Sequence, residues 1–277
     1  MSMEPELNRS DISSLFRLDG RVAFLSGATG LLGKQMAEAL ASAGAHVVLN
    51  ARSTDALEEL CDQMNSSGHN VSIACFDVTD EKALREQVDS IGKSHGRLDV
   101  LVNNASAGRP GTLEDARRTD FEQLYLVNVV APFLFVQAAM PLLKEGARQT
   151  KGGASVVNIG SMYGTVSPDP SIYGQSGANN PPYYGAAKAG VIQFTRYAAC
   201  HLAVHRIRVN CISPGPFPSQ KVLEHDAGFH ERLSSKNPMH RTGDPDELRG
   251  PLLFLASDAS SYVTGVNLAV DGGWTAW

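Results

Sequence analysis

Four cysteines, at 61, 75, 200 and 211, are all this 277-residue chain has, and their spacing fits neither a disulfide framework nor a zinc motif. Buried free thiols are the expected state. Apolar runs of membrane length are also missing: the longest, Val129 to Leu143, carries Gln137 and two prolines and is too short to span a bilayer. The first residues, Met1-Ser-Met-Glu-Pro-Glu, are acidic and have no apolar stretch of the kind that leads a secreted chain. A cytoplasmic protein is expected. Basic runs are absent and the net charge is −5, which argues against a nucleic-acid surface. His201 and His205 stand one helical turn apart, but the residues between them hold no glutamate and no third ligand is evident, so no metal site is expected. Internal repeats and low-complexity linkers are lacking too. The remaining class is a protein of small molecules, with no nucleic acid and no membrane among its partners.

What is present is a regular alternation. Short β-branched runs near 21–26, 46–50, 71–76, 98–103, 154–160, 207–212 and 266–270 are separated by helical periods. Strands such as Val100-Leu-Val102 and Val156-Val157-Asn-Ile159 are apolar on both faces, as in a parallel sheet covered by helices on both sides. The pattern predicts an α/β doubly wound sheet of seven parallel strands, with residues 1–16 as a polar arm and 17–277 as one domain.

The first strand runs straight into Gly27-Ala-Thr-Gly30-Leu-Leu-Gly33, followed by Leu32, Met36, Leu40 and Ala43 at helical spacing. Glycines there permit a tight turn and let the backbone approach a pyrophosphate, which the free N–H groups of the helix then attract. Far along the chain, Tyr184-Gly-Ala-Ala-Lys188 places a phenol and an ammonium on one helical face. A tyrosine titrates near pH 10, so proton transfer near neutrality asks for about 4 kcal/mol of phenolate stabilisation. One ammonium at about 4 Å supplies a similar amount at an effective dielectric of about 20. Alone, such a pair is more often a solvated helix face.

In order along the chain stand the glycine turn at 27–33, Asp77-Val78, Asn103-Asn104-Ala105, Asn128, Ser161, Tyr184 with Lys188, Pro214-Gly215 and Asp271-Gly272-Gly273. This series resembles the short-chain dehydrogenases/reductases over about residues 17 to 273, in the compact branch that includes 3-oxoacyl-carrier-protein reductases and gluconate 5-dehydrogenases. The resemblance implies a Rossmann fold and NAD(P)-dependent interconversion of an alcohol and a carbonyl. Its catalytic tetrad falls on Asn128, Ser161, Tyr184 and Lys188: serine orients the carbonyl, tyrosine transfers the proton, lysine assists and binds the nicotinamide ribose, and asparagine anchors a relay water. Its cofactor contacts fall on Gly27, Thr29, Gly30, Leu32 and Gly33 at the pyrophosphate, Asp77 and Val78 beside the adenine, and Asn104 and Ala105 against the adenosine ribose. Tyr184 and Lys188 serve the nicotinamide end, as do Pro214, Gly215, Phe217 and Ser219. Without the resemblance, Asp77 is equally a helix cap, Asn104 a turn closer, Asn128 an interhelical bond and Ser161 a turn residue.

Cofactor choice rests on the end of the second strand. The acidic position that favours NAD falls on Ala51, and the next residue, Arg52, has the fork that suits a 2′-phosphate. NADP(H) is preferred, with NAD(H) as the other possibility. Three departures from the family pattern stand out. Leu31 occupies a position usually held by glycine, which gives the turn the spacing of the extended, sugar-nucleotide branch; Ser106 replaces a glycine after Ala105; and the stretch from Val166 to Pro182 makes the Ser161–Tyr184 interval about ten residues longer than usual, the kind of long loop that is often functional.

The expected substrate is a small carbonyl or alcohol, of hydroxylated, sugar- or polyol-like type if that loop's polar groups reach it. The segment from Ser219 to about Pro238 is the expected lid. Phe133, Phe135, Phe194 and Tyr197 exceed what one sheet face needs, and with the family's habit they imply self-association as a homotetramer or dimer. Two other readings stay open: a non-catalytic dinucleotide-sensing module on the same fold, and a nucleotide-sugar epimerase or dehydratase.

Overall fold

The computed structural model describes residues 11–108, 110–176, 179–220 and 228–277. Its centre is one parallel sheet of seven strands in the order β3-β2-β1-β4-β5-β6-β7. The strands are β1 (Val22–Ser26), β2 (His46–Ala51), β3 (Val71–Cys75), β4 (Val100–Asn103), β5 (Ala154–Ile159), β6 (Ile207–Pro214) and β7 (Asn267–Val270). Each of the seven expected strands is present, with ends displaced by at most two residues from the pattern.

The double-sided apolarity of the strands sorts cleanly between two helical layers, because successive side chains alternate across the sheet. From β1, Ala23 and Leu25 join Met36 and Leu40 of α1 (Leu31–Ser42), Leu57 and Leu60 of α2 (Thr54–Ser66) and Leu252 and Leu255 of the C-terminal helix Arg249–Ala256. Val22 and Phe24 face the other way, toward Leu84, Val88 and Ile91 of α3 (Glu81–His95) and Phe135, Val136, Ala139 and Leu143 of α5 (Ala131–Gln149). Between them, α4 (Arg118–Tyr125) enters α5 through a π-turn, Leu126–Val130. The helical run Arg118–Gln149 is therefore longer than the apolar stretch suggested, and by length and composition it could cross a membrane. Its apolar face is spent on the sheet instead, with Phe135 at 4.4 Å from the ring of Phe24.

Two sequence expectations need correction. Phe135 is core, leaving Phe133 and Tyr197 as the exposed members of the aromatic group, with Phe194 partly buried against Phe133. Of the cysteines only Cys211 is buried, whereas Cys75 and Cys200 are exposed; all four are free. Of the expected arm, residues 1–10 lie outside the described residues, and Ile12–Phe16 form a short 3-10 helix capped by Asp11, ahead of a fully buried Leu18.

The chain crosses from one half of the sheet to the other between β3 and β4, so β1 and β4 lie side by side with their following connections diverging. That switch point opens a crevice at the carboxyl ends of the strands, where α/β sheets hold ligands. Onto its far end pack α6 (Pro182–Leu202) and α7 (Phe229–Ser235). Within the expected lid, residues 221–227 lie outside the described residues, as do 177 and 178 of the long loop.

Candidate active site

Gly27 leaves β1 with φ +67°, and α1 begins four residues later with Gly30 at its N-cap, where no side chain bonds the first turn. A Cβ on Gly33 would stand 2.1 Å from the Gly27 carbonyl oxygen, so helix and turn touch through backbone alone. The first-turn N–H groups of α1 are left facing the crevice, an arrangement suited to a phosphate diester. Leu31 is the first residue of α1 and lies half exposed beside this turn, so a glycine is not required there.

Asn104 braces the same turn from β4. Its amide nitrogen donates to the carbonyls of Ser26 and Gly27, both at 3.0 Å, while Ser26 Oγ accepts from the backbone N–H groups of Asn104 and Ala105. A crevice of about 510 Å³ results. It gathers Gly27, Thr29, Gly30, Leu32, Gly33, Arg52, Asp77, Val78, Asn104, Ala105 and Phe217 of the expected cofactor residues, and adds Leu31, Phe76, Ser106 and Val127 among others. At its outer end Arg52 is exposed and stands 3.8 Å from Asp77. Asp77 does not cap α3, a role that Asp80 takes, and instead accepts from the N–H and hydroxyl of Thr79.

A second, smaller cleft of about 200 Å³ lies beyond Phe217 and includes Ser161, Tyr184 and Gly215. Ser161 follows β5 and caps the 3-10 turn Met162–Gly164, its Oγ accepting from the Tyr163 N–H at 3.2 Å. Tyr184 sits in the first turn of α6, and Lys188, one turn further, is buried with Nζ donating to the Ile159 carbonyl at 2.8 Å and 5.7 Å from the Tyr184 ring centroid. Burial sets the titration of both groups. It pushes the Tyr184 phenol above its ordinary value, with hydrogen bonding from Ser161 offsetting part of the rise, and it brings the Lys188 ammonium down to about 8. One ammonium proton of Lys188 goes to the Ile159 carbonyl, and desolvation is the leading cause of both shifts.

Asn128 lies in the π-turn, buried, its amide nitrogen donating to Leu124 O at 3.0 Å and its oxygen accepting from Ser106 Oγ at 3.0 Å. A π-turn leaves part of the helical ladder open, which suits a helix that must present a polar group inward. The serine that departs from the family pattern thus fixes the orientation of Asn128. Pro214 ends β6, Gly215 bonds to Val270 O at 2.9 Å, and Ser219 is half-buried but lines neither cleft. Sequence reasoning missed the aromatic wall of the smaller cleft, made by Tyr163, Tyr173 and Phe229. Tyr163 was detectable as an aromatic two residues past Ser161 at a strand end, whereas Phe229 arrives from a helix that no local motif marks.

A family model described as enoyl-(acyl carrier protein) reductase matches residues 27–275. The chain belongs to the short-chain dehydrogenases/reductases. It is 35% identical to the 3-oxoacyl-[acyl-carrier-protein] reductase FabG of Thermotoga maritima over 93% of this chain and 98% of that one. Galactitol 2-dehydrogenase (L-tagatose-forming) of Cereibacter sphaeroides is 34% identical, covering 96% and 100%. Among solved structures, gluconate 5-dehydrogenase from Burkholderia cenocepacia in complex with NADP and tartrate superimposes with a TM-score of 0.86 at 31% identity, over 96% of this chain and all of that one. As a member of this family the chain is an oxidoreductase with a Rossmann-type sheet.

Proposed function

We propose that this short-chain dehydrogenase/reductase interconverts a secondary alcohol and a ketone with NADP(H), in one catalytic domain preceded by a short arm, on a small hydroxylated substrate. The observation that carries the reading is the meeting of Ser161, Tyr184 and Lys188 beside a crevice whose glycine turn presents uncapped helix N–H groups. The turn accepts a pyrophosphate through Gly30 and the start of α1, Asn104 and Ala105 border the adenosine ribose, and Arg52 meets a 2′-phosphate that Ala51 has no acid to repel. Neighbours of the fold whose descriptions name NADP, such as the Burkholderia cenocepacia protein, support that preference. When bound, the nicotinamide gives or takes the hydride.

The chain's own residues do the rest. Ser161 holds the substrate oxygen with the proton that its bond to the Tyr163 N–H leaves free. Tyr184 donates its phenolic proton to that oxygen in reduction and recovers it in oxidation. Lys188, with a pKa near the working range, supplies the charge that steadies the phenolate, and Asn128 anchors the water through which the proton is replaced. The exposed Phe133 and Tyr197 suit contact between copies in a homotetramer or dimer, and a cytoplasmic site of action fits the composition.

The test is steady-state kinetics of the purified protein on a carbonyl and polyol panel with both cofactors. Tyr184→Phe removes only the proton-transferring oxygen, and turnover is expected to fall by about 10²–10⁴-fold while NADPH affinity stays close to that of the parent. Comparable turnover in variant and parent would remove Tyr184 from the reaction.

A further inference from the structure

The long loop before Tyr184 is bound into the fold. Its 3-10 turn, Pro170–Tyr173, buries Ile172, and it is fastened to α7 and its C-cap residue by three contacts: Arg232 Nε donates to Ile172 O at 2.7 Å, Lys236 pairs with Asp169 at 2.5 Å, and Tyr173 packs on Phe229 at 5.7 Å. At the other end of the loop, Gly111 donates to Asn179 O and the Asn180 N–H donates to Asn179 Oδ1 at 2.8 Å. The loop thereby delivers Tyr173 and Asn180 to the smaller cleft, beside Ser161, Tyr163 and Tyr184.

Asn180 is an exception among these well-bonded groups. Its carboxamide oxygen is buried and has no hydrogen-bond partner; the one other such side-chain atom among the described residues is Ser234 Oγ, in α7. Both therefore belong to the two segments that wall this cleft. A buried orphan of this kind costs about 1–3 kcal/mol, and native structures rarely keep one without a use. The described lining of the cleft carries phenols and a carboxamide, which suit a molecule carrying hydroxyls on an apolar frame. A hydroxyl both donates and accepts, and so completes the amide in either orientation.

Resting on the reading that Ser161 and Tyr184 take the reacting oxygen, we propose that Asn180 determines specificity by bonding a second hydroxyl, making the substrate a polyol or hydroxyketone. A site built to bond a hydroxyl discriminates against the analogue that lacks it, because the buried polar group is then left unpaired.

Cyclohexanol and trans-1,2-cyclohexanediol isolate that hydroxyl, and 2-hydroxycyclohexanone against cyclohexanone does so in reduction. In the parent, kcat/KM for the hydroxylated member is expected to exceed that for its partner by about tenfold or more, the size of one hydrogen bond, with the difference in KM. Asn180→Leu, close in shape but without the amide, should bring the ratio near one, while Asn180→Asp keeps an acceptor and retains most of it. Gln175→Ala, exposed on the same loop, should leave the ratio unchanged. Should Asn180→Leu not fold, as judged by melting with NADPH, Asn180→Ala reads the same ratio. A parent ratio near one, or an advantage that survives Asn180→Leu or Asn180→Ala, overturns the proposal alone. Absence of turnover of every alcohol and ketone with either cofactor overturns the reading beneath it as well.

Discussion

Arg52 is expected to be the main selector between the two nicotinamide cofactors, and its surroundings allow the size of the effect to be worked out. The side chain is 74% exposed, so no burial energy is lost with it, and Asp77, with which it pairs, is 3.8 Å away and 42% exposed. Exposed pairs of this kind contribute about 0–1 kcal/mol, too little to hold the guanidinium from a phosphate. In Arg52→Ala the 2′-phosphate loses a charge-assisted bond, about 1.5–3 kcal/mol, which corresponds to a 12- to 160-fold weaker Kd for NADPH. NADH has no phosphate at that position and should change by less than about twofold. Fluorescence titration of both cofactors at low and high salt is the assay, since the Arg52 contribution should shrink as salt screens it. Asp77→Asn, which removes a negative charge beside the phosphate and keeps an acceptor for Thr79, should tighten NADPH and leave NADH nearly constant. Equal losses for NADPH and NADH in Arg52→Ala would refute the argument.

Gly33→Ala should weaken NADPH by at least about tenfold and lower the melting temperature, because the new Cβ would sit 2.1 Å from Gly27 O and the turn must open to admit it; overpacking of this order costs about 1–3 kcal/mol. Unchanged binding would mean that the turn is looser than its geometry implies. For Lys188 the prediction concerns pH. Its ammonium titrates near 8 when folded and near 10.5 when unfolded, so the unfolded chain binds more protons between those values, and stability gains with pH across that window from this group. Below about pH 8 the full penalty for a buried charge is present. The stability difference between Lys188→Met and the parent, from denaturant unfolding, should therefore favour the variant more at pH 7 than at pH 10; a difference independent of pH would contradict the depressed pKa.

Backbone-driven features could be read from the sequence. Strands apolar on both faces, such as Val100-Leu-Val102 and Val156 to Ile159, point to a parallel sheet covered by helices on both sides, and Gly27 and Gly33 identify the turn because side chains there have no room. The polar networks were harder to see. Ser106 looked like a departure from pattern and is the donor that orients Asn128, a pairing between residues 22 positions apart that no local spacing reveals. Likewise helical spacing gives the separation of Tyr184 and Lys188 along one face but not the depth to which α6 sinks them, and burial is the leading cause of the shift in each.

The contacts that fasten Asp169, Ile172 and Tyr173 to Lys236, Arg232 and Phe229 have a consequence for how this enzyme can change. The two segments are far apart in the chain but share one wall, so a substitution in either alters the shape the other must match. Drift toward a new substrate then requires paired changes, and a loop transplanted from a relative without its helix would arrive with its anchors unmet. Exchange of both pieces together is the smallest unit of inheritance that leaves this wall intact.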